Sequence, residues 1–178
     1  MDCPLDCVYL QEARKHERPG TVEMSEAPNR DIRVTEEFLG EHLELLTVVG
    51  RGLAKSALDT PGAVDRDVQD AIDALIRTQR TLQSGVYYQT RPENALARPI
   101  FDFIGAVLEE FQKREQEKLG MVHTRDADVL RVLVFLQRVA WDRNNGRPRG
   151  RAFIDFLRGS FAEEAPDSMP APSSLILP

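Results

Sequence analysis

The chain has 178 residues, of which 42% are hydrophobic and 29% charged, and its net charge is −6. That composition suits one globular domain with length to spare, and it excludes a protein that coats nucleic acid through bulk positive charge. The longest unbroken apolar run is five residues, 132–136, far short of the ~20 that span a bilayer.

No charged segment followed by an apolar stretch opens the chain, so no secretory signal is expected and a cytoplasmic location is. Two cysteines cannot build a disulfide framework. Of the 23 basic residues 19 are Arg, a bias that suits planar, bidentate anion contacts but also follows from GC-rich codons.

Residues 1–34 are set apart by Pro4, Pro19, Gly20 and Pro28, and their apolar content between 19 and 33 is low. A flexible segment is expected there, with a short helix over 4–17. Thr35 is an N-cap candidate, with Glu36 and Glu37 in the first turn where carboxylates suit the helix dipole. Leu39, Leu43, Leu46, Leu53 and Ala57 then form one helical stripe, and Gly50 on that stripe permits close approach by another element. Asp59-Thr60-Pro61-Gly62 stops this first helix.

The second helix runs over about 64–83, with Val68, Ile72, Leu75, Gln79 and Leu82 on one face. Residues 86–90, including Tyr87 and Tyr88, read as a loop covering the bundle. The third helix starts near Pro92, and Pro99 is expected to kink it or to divide a first turn from the body. The fourth, over 125–143, carries apolar residues around almost its whole circumference, which only a centrally placed helix needs. Asn144-Asn145-Gly146 ends it, and a last helix follows over 149–161. The tail over 162–178 is acidic, then rich in Pro and Ser, and reads as disordered with a terminal Leu175-Ile176-Leu177. The fold class is therefore all-α: an antiparallel bundle of four to five helices over 35–161 around the helix at 125–143, between flexible flanks.

Several chemistries are missing. None of His16, His42 and His123 follows a Glu by three residues, so the di-iron pattern of helical bundles does not occur. Residues 50–56 contain Lys55-Ser56 but lack Gly at 54 and 49, as a phosphate loop would need. Adjacent carboxylates such as Glu109-Glu110 diverge on a helix. No cofactor is expected by default.

Two features could carry function. Cys3 and Cys7 share a helical face, and a thiol near a helix start is a better metal ligand. With His16 they form a candidate zinc or thiol site, best completed by a homodimer, since a second pair is missing. The second feature is an Arg cluster: 138–158 holds six Arg and two acids. Arg143, Arg147, Arg149, Arg151 and Arg158 are its candidate anion- or partner-binding residues, aimed near the start of the last helix, where backbone N–H groups also favour an anion. The alternative is that they pair with the chain's own surplus carboxylates.

Arg147-Pro148-Arg149-Gly150-Arg151 resembles the core of an AT-hook, over five residues and up to Ala152. That resemblance implies a DNA- or phosphate-binding turn whose Arg side chains enter the A·T minor groove. The leading expectation is a non-enzymatic helical interaction domain that binds another macromolecule, a protein before nucleic acid and not a membrane, through this turn and the flanks. A metal- or thiol-dependent sensor is the second. An enzyme assembled from distant side chains is the third, and a cleft lined by Arg and by carboxylates with shifted titration would favour it.

Overall fold

The computed structural model describes residues 27–85, 88–144 and 146–161. Within them lie six helices and no strand: α1 (Glu36–Glu41), α2 (Leu43–Asp59), α3 (Asp65–Gln83), α4 (Ala97–Leu119), α5 (Asp126–Asp142) and α6 (Ala152–Ser160). The all-α bundle expected from periodicity is therefore what forms. The helix at 4–17 and the tail at 162–178 lie outside the described residues.

Local signals place most boundaries. The Thr35 hydroxyl accepts the Phe38 N–H at 3.2 Å and starts α1. The long first helix expected from the leucine stripe is broken at one residue, His42, which separates α1 from α2. His42 turns back on α1: its ring stacks on Phe38 with centroids 4.2 Å apart, and Nδ1 lies 3.0 Å from the Phe38 carbonyl. Pro99 does not kink α4. It is the third residue of that helix, where an N–H has no intrahelical acceptor to lose. Gly120 ends α4 in the left-handed conformation at φ 75°, which costs glycine nothing.

The core joins all six helices. Val49 and Leu53 of α2, Val68 and Ile72 of α3, and Ile100 and Ile104 of α4 are fully buried. So are Val132, Leu133, Val134 and Leu136 of α5 and Phe153, Ile154 and Leu157 of α6. The α3–α5 pairing is the most extensive, and α2 packs against both α4 and α6. Close approach along α2 depends on glycine. A Cβ at Gly50 would stand 2.6 Å from the Phe161 ring, and one at Gly52 would stand 2.9 Å from Ile104 Cδ1. The close approach expected at Gly50 is real, but it is made by one aromatic side chain.

The loop between α5 and α6 is fastened from α3. The Asp65 N–H donates to the Gly150 carbonyl at 2.8 Å. Its buried carboxylate accepts the N–H groups of Phe153 (3.1 Å) and Ile154 (3.0 Å) in the first turn of α6. A side chain at the start of one helix thus caps the start of another. Burial raises the Asp65 titration above the ordinary 3.8, against the pull of the backbone donors and with added repulsion from Asp155.

Asp65→Ala leaves two buried N–H groups without their acceptor and is expected to cost about 1–2 kcal/mol at neutral pH. The folded chain holds the Asp65 proton more tightly than the unfolded chain does. This residue's contribution to stability therefore falls as pH rises from near 3.8 through its higher folded value. Denaturant unfolding across that range should show the advantage of wild type over Asp65→Ala shrinking with rising pH. An advantage that grew instead would place this carboxyl below its ordinary value.

Candidate functional site

The Arg cluster does not converge on one spot. Arg138 lies on α5, and its Nη2 donates to the carbonyls of Asn29 and Ile32, both at 2.7 Å. The guanidinium of Arg143 sits over the Phe156 ring at 4.5 Å, a cation–π contact, and Nε lies 3.9 Å from Asp142. Arg147 and Arg149 are exposed on the loop, which the Gly150 N–H closes onto the Arg147 carbonyl at 3.0 Å. Arg151 is buried and Arg158 is exposed on α6. The start of α6, where an external anion was expected, already holds one: the carboxylate of Asp65. Cys3, Cys7 and His16 lie outside the described residues. Among the described residues no group of three or more His, Cys, Asp and Glu is placed to hold a metal ion.

Arg138 organises a network that sequence reading missed. Residues 27–34, expected to be flexible, lie on α3 and α5, with Ala27 buried. Asn29 adopts a left-handed φ of 55°, a conformation asparagine tolerates. Its Nδ2 donates to Gln137 Oε1 at 2.7 Å, and its Oδ1 accepts from Arg80 at 2.7 Å. Gln137 in turn donates to Asp73. Arg80 also grips Asp31 at 2.9 Å and holds that carboxyl below its ordinary value. The advance signal was the polar pair Gln137-Arg138, which follows the apolar run 132–136 of α5.

Two depressions on the described surface bear on function. The first is a polar cleft of about 650 Å3 along α3 and the α3–α4 loop, with Arg66, Arg77, Arg91, Asp70, Asp73 and Glu93 in its wall. Burial raises the Asp73 carboxyl, opposed by the hydrogen bond from Gln137 and by Arg77. Two of these three carboxylates already have structural work. Asp67 beneath it accepts the Val64 N–H at 2.8 Å, and Asp67 and Asp70 both accept from Asn94, at 2.6 and 2.9 Å. Asp73 accepts from Gln137.

The second is an apolar groove of about 610 Å3 between α2 and α4, closed at one end by α6. Small residues on α2, Gly52 and Ala54, leave its floor low, while Val48, Phe103, Val107 and Phe111 form its walls. Leu58 at its edge is 45% exposed. Charges rim it: Lys55 pairs with Asp59 at 2.8 Å and Arg114 with Glu110 at 3.1 Å, and Arg51 and Arg158 add two further cations. Phe161 completes the end wall, with its carbonyl accepting from Arg51 Nε at 3.1 Å.

The chain matches no family model, no curated protein and no solved structure. Among the described residues no helix is long and apolar enough to cross a membrane.

Arg138→Ala should release residues 27–34 while leaving the bundle folded. Hydrogen exchange at 29–34 is expected to rise at least about tenfold, with little change in α2 or α4. Arg138→Lys should rescue little, because one ammonium does not reproduce the planar donor fork. Unchanged exchange in both variants would remove Arg138 as the anchor.

Proposed function

We propose that this protein is a non-enzymatic helical interaction domain whose principal contact surface is the groove between α2 and α4. The observation that carries this reading is an apolar floor bordered by a rim with a surplus of cations. Most apolar faces of the bundle are buried against one another, whereas this one is bordered by the exposed Leu58 and Ala106. The wall from Phe103 to Phe111 follows α4 for about 12 Å at ~1.5 Å per residue, long enough for two turns of a partner helix or a short extended segment. Such grooves take apolar anchors from a partner chain, and the cations around them select acidic flanks. The fitting partner is a protein segment with two or three large apolar residues beside carboxylates.

The Arg-rich turn plays a smaller part in this reading. Arg143 is engaged by Phe156, Arg138 anchors residues 27–34, and the start of α6 is filled by Asp65. Arg158 joins the groove instead. The polar cleft does join Arg66, Arg77 and Arg91 to Asp73, a carboxyl raised by burial, which favours catalysis as the second reading; Asp70 and Asp73 are engaged by Asn94 and Gln137, and the groove therefore comes first.

Leu58→Glu combined with Ala106→Glu alters two exposed positions on α2 and α4. These changes are expected to leave thermal unfolding within about 2 °C of wild type and to weaken capture of a protein partner at least about tenfold, a typical cost of spoiling an apolar anchor site. Arg147→Ala with Arg149→Ala should leave capture intact. If the Arg pair abolished capture and the groove pair did not, the contact surface would be the turn. Salt-sensitive recovery of nucleic acid would then identify the ligand class.

A further inference from the structure

The described chain ends at Phe161, which forms part of the groove wall, and Arg51 holds its carbonyl. Phe161 thus shares the groove lining with the cations Arg51 and Arg158. The 17 residues that follow begin with three carboxylates, Glu163, Glu164 and Asp167, and carry no charge from Ser168 to Pro178. Their largest apolar residues are Met169, Leu175, Ile176 and Leu177. We propose that this C-terminal segment is the groove's resident occupant, bound within the same molecule, and that an external partner must displace it.

Charge, reach and concentration support this assignment. The three carboxylates lie two, three and six residues beyond Phe161 in the sequence, and the groove lining that Phe161 belongs to carries the complementary cations Arg51 and Arg158. Seventeen residues can extend ~56 Å at ~3.3 Å each, more than the groove's length, so Leu175 to Leu177 can reach any part of the floor. A short tether of this kind holds its end at an effective concentration in the ~mM range. Even weak intrinsic binding is then enough to keep the apolar floor covered. Covering it also meets a physical need, since an exposed apolar groove invites unselective association.

The inference rests on the groove being a docking surface, so the test separates the two. A labelled peptide of residues 162–178 is titrated by fluorescence anisotropy into the full chain and into a chain ending at Ala162. The truncated chain should bind the peptide, and the full chain should bind it at least about tenfold more weakly, because its own segment competes. Leu58→Glu with Ala106→Glu in the truncated chain should abolish binding. Arg158→Glu should weaken binding, and a peptide carrying Glu163→Arg and Glu164→Arg should recover it.

Methyl signals of Val48, Val107 and Leu58 should differ between full and truncated chains at every protein concentration. Absence of peptide binding, or identical methyl signals, would overturn the resident-segment inference. The groove reading would still stand if the groove variants impaired capture of a protein partner. Methyl differences that appeared only on raising concentration would instead assign the occupant to a second copy and overturn binding within one molecule.

Discussion

A carboxylate buried where two helices begin must find donors inside the protein, because water cannot serve it there. Asp65 finds them on the first turn of α6, and its own N–H is taken by Gly150 just before that turn. These bonds join positions almost ninety residues apart and fix the angle at which the chain enters α6. The end wall of the groove follows from that angle. Once α6 starts at α3, it runs along α2, sets Phe161 on Gly50 and brings Arg158 to the rim of the groove. Burial opposes the charge while the two helix-terminal N–H groups support it, so the cap is a compromise and its net worth is modest.

A second constraint acts through small residues. Gly50 and Gly52 let Phe161 and Ile104 approach the α2 backbone more closely than any Cβ would allow. The same economy of side chains leaves the floor between α2 and α4 shallowly filled and apolar. Tight packing at the middle of α2 and an open groove beside it are thus two outcomes of one local sequence. At the opposite side of the bundle, polar residues seal the surface. Asn29, Arg80, Gln137 and Arg138 bind residues 27–34 to α3 and α5 through hydrogen bonds, beside the apolar contacts that Ile32 and Val34 make with the core.

Much of the fold was legible because its signals are local. Thr35 caps because a β-conformation hydroxyl reaches the N–H three residues on. Gly120 stops α4 because only glycine enters the left-handed region without cost. The apolar sequence of α5 announced a buried helix, and its Val132 to Val134 are fully buried. The break at His42 was not legible, since the leucine stripe passes through it and the competing interaction is a ring stacking on Phe38. Pro99 was misread because its effect depends on which residue starts the helix, and Ala97 begins only two residues earlier.

The candidate site was less legible. Arg143, Arg147, Arg149, Arg151 and Arg158 are neighbours in sequence, yet the structure spreads them over a ring contact, an exposed loop, the interior and a groove rim. The sequence by itself determined the helical class, the approximate span of the helices other than the α1–α2 break, and the segregation of positive charge over 138–158, because periodicity, capping and composition act within a few residues. Only the tertiary structure decided which anion occupies the start of α6, what Arg138 holds, and where apolar surface stays exposed. Those outcomes depend on pairs such as Asp65 with Phe153, or Gly52 with Ile104, whose meeting is set by packing and leaves no periodic trace along the chain.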